Sequence, residues 1–470
     1  MNEDKSRENP DASEVNSSFS VPRSSFPVRP AAMAPFDEAA QWIAGGLWPR
    51  AIADSGRPVV AVLCNLTPLE LIHAAGAMPV RLCAGAVVEC SSNDSNSQSA
   101  VHNRESESEN RKSRIAVLPR DMCQVAKGAV VRLDALRKQM GRAPVAVVVP
   151  STCDWKAQCC DFLGPSDEIR VLAVPRDRSS PRARREWRQQ IAELADFLVH
   201  KLKAYAADIN RLEAYATDPD RLEPYTAGTP ISRRTLLRAI GLYQQATALG
   251  RRLADLMKQP HPPIAGADLM LVFNLFYSLP VEKWIGAASS LLEEMRHRLS
   301  ACEAGGQAAP PTRLLLVGAP IIWPNWELPL LIESLGGQIV ADALCSSYRG
   351  FSDLVSVDET SRTALIEALA DRYLLPCTCP CFTSDEEYLW RVENQIADFR
   401  VEGAVIHRLK NCYLFDMEAK RLEDLFRKHT IPQIQIESDY ESPASAALTT
   451  RIEAFLDLLK QKTDNPLESQ

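Results

Sequence analysis

The stretch PVVAVLCNLTPLELIHAAGAMPVRLCAG, residues 58–85, decides the fold class of this 470-residue chain. Its first eight residues are rich in valine and are followed by turn-forming residues, which predicts a buried strand. Thr67, Pro68 and Glu70 have the spacing of a capping box, so we predict a helix over PLELIHAAGA that ends at Gly76. The segment MPVRLCAG then predicts a second strand. A succession of strand, helix and strand is typical of a parallel sheet with helices on its faces.

The same alternation continues along the chain. Further strands are predicted at APVAVVVPSTCD (143–154), IRVLAVP (169–175), TRLLLVGAPI (312–321), QIVADALC (338–345), EGAVIHRL (402–409) and IPQIQIESD (431–439). Between the two groups of strands, 187–206 and 229–257 carry apolar stripes at helical spacing, which usually form core. We therefore predict an α/β fold with two doubly wound parallel-sheet domains, of the Rossmann or flavodoxin-like type, separated by a helical segment.

Four parts of the chain follow from this pattern. Residues 1–30 are rich in Ser, Asn, Glu and Pro and are predicted to be a disordered tail. Residues 31–180 form the first α/β domain, which carries a polar insertion at 89–114 that we interpret as a surface loop. Residues 181–307 form the helical segment, and residues 308–470 form the second α/β domain.

Bulk composition excludes several classes of protein. The formal net charge is −7, so no basic surface for nucleic acid is expected. The polar, acidic start lacks the pattern of a secretory signal, and no apolar run is long enough to span a bilayer. We therefore expect a cytoplasmic protein that binds neither nucleic acid nor membrane. Without a secretory signal, the thirteen cysteines do not indicate a disulfide framework.

The positions of the cysteines point to a ligand site. Five of them are predicted to lie at the ends of strands, and a sixth just before a helix: Cys64, Cys153, Cys345, Cys377 and Cys412, with Cys123 before the helix. In parallel sheets, ligands bind at the carboxyl ends of strands, where loops converge. We therefore predict that these cysteines lie at functional edges.

Thiolate sites select zinc or iron–sulfur clusters. Structural zinc usually shows paired C-x-x-C knuckles, and this chain has none. Ligands gathered from distant loops favour an iron–sulfur cluster between the domains, with structural zinc as the alternative. Lys127 and Lys156 each follow a candidate ligand closely, and their charge would stabilise thiolates.

A series of blocks in this order resembles a known family. The blocks are Cys64 with NLTPLELIHAAGAMPVRLCAG, LPRDMCQVAKG, STCDWK, LLLVGAPIIWPN, IVADALCSSYRG, RYLLPCTCP, VEGAVIHRLKNCYLF and IPQIQIESDY. Together they resemble the 2-hydroxyacyl-CoA dehydratase D-component family, which includes benzoyl-CoA reductase subunits and the double-cubane cluster proteins. The resemblance covers roughly residues 55–460.

This resemblance implies two α/β domains with a helical part and a 4Fe-4S cluster held between them. The positions that match the family's three ligands are Cys123, Cys153 and Cys412. The double-cubane branch uses more cysteines for an 8Fe-9S cluster, and Cys64, Cys345 and Cys377 fit that extra set. Cys83, Cys379 and Cys381 are open alternatives. The family also implies a separate ATP-dependent activator protein with its own 4Fe-4S cluster, and a homodimer.

The expected function is that of an oxygen-sensitive iron–sulfur oxidoreductase. It would be the double-cubane component of an ATP-dependent reductase, and it would reduce a small unsaturated molecule or an acyl-CoA thioester. One alternative is a 2-hydroxyacyl-CoA dehydratase subunit, a lyase with a single 4Fe-4S cluster. Another is a non-enzymatic metal-binding or electron-carrier protein. We predict mainly structural roles for Glu70, Glu333 and His407. Proton transfer is an alternative for the two glutamates. His407 is of interest because it precedes Cys412 by five residues.

Overall fold

A computed structural model of the protein describes residues 29–83, 118–119, 121–141, 143–213, 230–302, 310–384, 386–440 and 446–464. The predicted polar insertion at 89–114 and all but the last two residues of the predicted tail lie outside the described residues. No described helix combines the length and apolar character needed to cross a membrane.

The first α/β unit contains a four-stranded parallel sheet. Two helices precede it, α1 (Ala34–Ala44) and α2 (Arg50–Asp54). Its remaining elements are β1 (Val59–Val62), α3 (Leu69–Ala74), β2 (Met78–Arg81), α4 (Gln124–Met140), β3 (Ala146–Pro150), α5 (Asp154–Gln158), α6 (Cys160–Leu163) and β4 (Ile169–Leu172). The strand order is β2-β1-β3-β4, and every pairing is parallel. The strands β1 and β3 are buried along their whole length, which explains their continuous runs of valine.

Four helices lie between the two sheets in the chain: α7 (Pro181–Glu213), α8 (Arg233–Asp255), α9 (Gly266–Leu275) and α10 (Val281–Cys302). Helix α8 begins with a capping box, in which the Ser232 side chain accepts from the N–H of Thr235 and the Thr235 side chain accepts in return. Every residue of α9 is buried, so this helix lies in the core.

The second α/β unit repeats the topology of the first. It comprises β5 (Thr312–Gly318), α11 (Glu327–Ser334), β6 (Gly337–Asp342), α12 (Arg362–Leu374), α13 (Glu386–Asp398), β7 (Gly403–Leu409), α14 (Tyr413–Lys428), β8 (Gln433–Ser438) and α15 (Ala446–Asp464). The strand order is β6-β5-β7-β8, again parallel throughout. Two all-parallel sheets of the same order confirm the predicted α/β fold class.

One hydrophobic core joins both units to the helices between them. It includes Trp187 of α7, Trp284 of α10 and Phe351, which follows β6, and the rings of Trp284 and Phe351 stack at 5.3 Å. A second apolar cluster covers the other face of the first sheet, against α4, and contains Cys83 and Cys123. Both clusters therefore reach the carboxyl ends of the strands.

The predicted capping box at Thr67 is wrong. Helix α3 has Pro68 as its N-cap and no side-chain cap, and the Thr67 hydroxyl instead donates to the carbonyl of Leu63 at 3.3 Å. The Glu70 carboxylate accepts from the hydroxyl of Tyr373 at 2.7 Å. Glu70 is therefore bound by Tyr373, which is 303 positions away in the chain, and does not form the capping box that its spacing indicates. Gly76 lies two residues beyond the helix, at φ 91°.

Candidate metal centre

Four of the five cysteines predicted at strand ends do follow strands. Cys64 follows β1, Cys153 follows β3, Cys345 follows β6 and Cys412 follows β7. The prediction is wrong for Cys377, because the leucine-rich segment before it is the end of helix α12. That helix starts at the Ser361 N-cap, whose side chain accepts from the N–H of Ala364 at 3.2 Å. Cys123 precedes a helix, as predicted.

The first set of thiols comprises Cys123, Cys153 and Cys412. They are the N-cap residues of α4, α5 and α14 respectively. The Cys412 thiol donates a hydrogen bond to Cys123, which lowers the pKa of Cys123 to about 6, and the N–H groups of Ala126 and Val125 add to this effect. Cys153 interacts electrostatically with Cys123 and with Cys412. The pKa of Cys153 is raised by burial, and that of Cys412 is raised by its hydrogen bond to Cys123. The structure therefore brings the three cysteines of this set together at helix starts, with the lowered pKa at Cys123.

The second set comprises Cys64, Cys345 and Cys377. Cys64 interacts electrostatically with both of the others, and all three line one cavity. The open alternatives from the sequence lie in the same place. Cys379 accepts from the Cys381 thiol, which lowers the pKa of Cys379 to about 6. Cys83 accepts from the backbone N–H of Cys64. All six of these thiols therefore belong to one group.

Lys156 interacts electrostatically with thiols of both sets. Its side chain lines the cavity, and its Nζ donates to the Thr152 hydroxyl at 2.8 Å. The thiols acting on it include Cys153 of the first set and Cys64 of the second. Although desolvation opposes its charge, these thiols keep the pKa of Lys156 well above its usual value. Lys127, the other lysine singled out in the sequence, is half-buried on α4.

Arginines from distant parts of the chain hold the loops that carry the second set. The backbone carbonyl of Cys345 accepts from Arg81 Nη1 at 3.1 Å, and that of Cys381 accepts from Arg176 Nη1 at 3.3 Å. Arg178 donates to the carbonyl of Cys377. Sequence reasoning missed these arginines, because each partner is about 200 or more positions away and no local pattern links them.

A cavity of about 80 Å³ lies beside the second set. Besides the thiols, its wall contains Glu70, Tyr373, Arg349 and Arg372. Burial, and then the neighbouring carboxylate of Glu70, raises the pKa of Tyr373 well above its usual value. The Glu70–Tyr373 pair thus holds a proton in the wall of the cavity.

His407 and Glu333 have structural roles. The ring of His407 contacts the carbonyl of Ala319 through Nδ1 at 2.8 Å and the hydroxyl of Ser438 through Nε2 at 2.7 Å. Burial lowers the pKa of His407 to about 4, so the ring is neutral. The Glu333 carboxylate accepts from the N–H groups of Gly266 and Ala267, at 2.7 and 3.2 Å, and so caps helix α9.

The candidate donors for a metal centre are thiols that form no disulfides. The eleven cysteines whose side chains the structure describes are all free of disulfides. Within the described ranges, no three His, Cys, Asp or Glu side chains are arranged to hold a metal ion. Thiols at helix starts around a buried cation would suit an anionic iron–sulfur cluster.

Comparison with known proteins places the chain among dehydratase components. The model of the family described as 2-hydroxyglutaryl-CoA dehydratase, D-component, matches residues 64–215 and 220–459. YjiM of Escherichia coli (strain K12), a protein named as a dehydratase subunit, is 24% identical over 432 residues, which is 92% of this chain and 98% of YjiM. The matched ranges include all six cysteines of the two sets.

Proposed function

The chain belongs to the 2-hydroxyglutaryl-CoA dehydratase D-component family, and we propose that it is the cluster-bearing component of an ATP-dependent reductase. In this proposal the two sets of thiols hold a double-cubane iron–sulfur cluster. Family membership supports an enzyme component of the dehydratase type, and the arrangement of the thiols supports the finer assignment.

The observation that carries the proposal is that Lys156 interacts with thiols of both sets. A single 4Fe-4S cluster with three protein ligands would use Cys123, Cys153 and Cys412 alone. That arrangement would leave three more thiols, Cys64, Cys345 and Cys377, beside a lysine and facing the same cavity. Two joined cubanes would give both sets a role, because one cubane would bind the three thiolates of the first set and the other would bind those of the second.

When bound, such a cluster would supply low-potential electrons and an iron site accessible to substrate. The residues of the chain would prepare the site for it. Lys156 offsets the negative charge of the thiolates, and the helix starts at Cys123 and Cys412 donate N–H groups toward sulfur. Glu70 and Tyr373 hold a proton that a reduced substrate would need. Small unsaturated molecules and acyl-CoA thioesters are the substrate classes that we propose.

The electrons would come from a separate activator protein that hydrolyses ATP and has its own 4Fe-4S cluster. The resemblance supports this partner, as it supports a homodimer. The sequence contains no G-x-x-x-x-G-K-[ST] loop, so ATP hydrolysis is assigned to the partner.

A second candidate is a 2-hydroxyacyl-CoA dehydratase subunit with one 4Fe-4S cluster at Cys123, Cys153 and Cys412. The description of the matching family and the name of YjiM both favour it. A pure electron carrier is less well supported, because it would not need the proton held by the Glu70–Tyr373 pair in the wall of the cavity.

Iron and acid-labile sulfide per chain, measured on protein purified without oxygen, would test the proposal. We expect about eight irons and nine sulfides, whereas the dehydratase alternative requires about four of each. Replacing the second set together (C64S, C345S and C377S) should remove at least half of the iron in the first case and none in the second. The C160S variant is the control, because this thiol belongs to neither set and bonds the Lys156 carbonyl at 3.7 Å. Zinc, or no metal, would refute both assignments.

A further inference from the structure

A second, smaller cavity adjoins the cavity that the second set of thiols lines. The two cavities have four lining residues in common: Leu69, Tyr243, Phe276 and Tyr277. The polar part of the smaller cavity's wall includes Arg57 and His73. Its volume is about 10 Å³, which is room for about one water molecule. A polar space of this size can therefore connect the wall of the larger cavity with residues behind it.

His73 of α3 links the smaller cavity to the surface. Its Nε2 lies 3.7 Å from Oε1 of Glu282, whose side chain is 40% exposed and also accepts from Arg57 at 2.7 Å. The other ring nitrogen, Nδ1, is buried and has no hydrogen-bond partner in the part of the chain that the structure describes. Burial lowers the pKa of His73 to about 4. The charges that act on it are Glu282, which opposes this shift, and Arg57 and Arg238, which add to it. The ring is therefore neutral, so one nitrogen can accept a proton while the other releases one.

Tyr243 of α8 contacts His73 and lines both cavities. The ring of His73 packs edge-on against that of Tyr243, with 5.9 Å between the ring centroids. Tyr243 interacts electrostatically with Glu282 on one side and with Glu70 on the other. Burial, and then the carboxylate of Glu70, raises the pKa of Tyr243 well above its usual value, so its hydroxyl is neutral and can both accept and donate. Glu70 in turn accepts from the hydroxyl of Tyr373 at 2.7 Å.

We propose that His73 and Tyr243 carry protons from the surface at Glu282 to the Glu70–Tyr373 pair, and that one water in the smaller cavity bridges the His73 ring and the Tyr243 hydroxyl. Each group releases a proton to the next acceptor as it receives one, so one proton enters at Glu282 and one arrives at Glu70. The route reaches the pair through the wall of the larger cavity, so it stays open when a substrate occupies that cavity. Its use in reduction rests on the proposed function, whereas the route itself requires neither a cluster nor a substrate.

Exchange of the Tyr373 hydroxyl proton with water tests the route in the intact protein, kept without oxygen. A hydroxyl bonded to a carboxylate gives a downfield proton resonance in NMR, and Y373F identifies it because this variant lacks the proton. We expect H73L and Y243F to slow the exchange roughly 100-fold, the contribution typical of one acid–base group. The H200L variant, which changes an exposed histidine of α7, should exchange as the wild type does. Wild-type exchange in both H73L and Y243F would overturn the proposal.

Rescue by imidazole separates proton transfer from a structural role of His73. The H73A variant should exchange slowly, and added imidazole, which fits the space of the removed ring, should restore the rate. The H73L variant, in which leucine fills that space, should not respond. Slow exchange in H73A that imidazole does not restore would assign His73 a structural role and contradict the route. If H73A does not fold, Y243F decides, since it keeps the aromatic ring and removes only the hydroxyl. Iron content does not enter this measurement, so its failure is distinct from failure of the proposed function.

Discussion

Replacing Lys156 by methionine should weaken the whole thiolate site. Methionine keeps most of the volume of the side chain and removes the charge that acts on thiols of both sets. An opposite charge a few ångströms away typically lowers the pKa of a group by about 1–3 units. Applied to Cys379 alone, whose pKa is lowered to about 6 with Lys156 among the causes, this range corresponds to a loss of about 1.4–4 kcal/mol for the thiolate form.

Two measurements check this prediction. In iron-free protein kept without oxygen, the ultraviolet absorbance of thiolate should appear at a higher pH in K156M than in the wild type, by about one unit. In loaded protein, K156M should release iron to a chelator faster. The T152V variant separates charge from hydrogen bonding, because it removes the acceptor of Lys156 Nζ and leaves the lysine in place. The K156R variant keeps the positive charge, so its thiolate titration and iron release should be close to those of the wild type. The K420M variant should behave as the wild type, because the side chain of Lys420 is exposed.

If K156M titrates as the wild type does and keeps its iron equally well, then Lys156 does not stabilise the thiolates. The two sets would in that case be independent of this cation. The argument for a single cluster that spans both sets would lose its main support.

Two further predictions concern buried acidic groups. Glu333→Ala should destabilise the protein by about 2–5 kcal/mol in urea unfolding, because two buried N–H groups lose their acceptor. Burial raises the pKa of Glu333 from 4.5 to about 8, so the protonated form of this residue favours folding. Its contribution to stability is complete below pH 4.5 and is lost as the pH rises through 8. The E333Q variant cannot titrate at this position, so its stability should depend less on pH. Tyr373→Phe should lower kcat with little change in KM and alter the pH–rate profile, because Glu70 loses its proton partner, whereas the exposed Y413F should change neither. An unchanged pH–rate profile in Y373F would exclude this pair from proton transfer.

The sequence predicts what local patterns determine. Runs of valine and leucine mark strands that are buried on both faces. Because Cys64, Cys153 and Cys412 follow such runs, the sequence correctly places them at the carboxyl ends of strands. The error at Cys377 has a local cause, since a short leucine-rich run suits both a strand and the last turn of a helix.

Local sequence patterns could not predict the contacts between residues that are distant in the chain. The carboxylate of Glu70 has the spacing of a capping group, but Tyr373 from the other α/β unit takes it. Arg176 and Arg178 donate to the cysteine loop some 200 positions away. The choice among Cys377, Cys379 and Cys381 depends on that loop, so spacing alone leaves it open.

The repeated topology explains why the thiols come from both halves of the chain. In an open parallel sheet, the binding crevice lies where the strand order reverses, which here is between β1 and β3 and between β5 and β7. Cys153 and Cys412 occupy the same place in the two units, each after the third strand and each at the N-cap of the following helix. Cys83 and Cys345 are related in the same way, each after the second strand. Each crevice alone supplies only part of the donors, because the first set pairs Cys123 and Cys153 of one unit with Cys412 of the other. Either α/β unit expressed alone should therefore fail to bind a cluster, even where it folds.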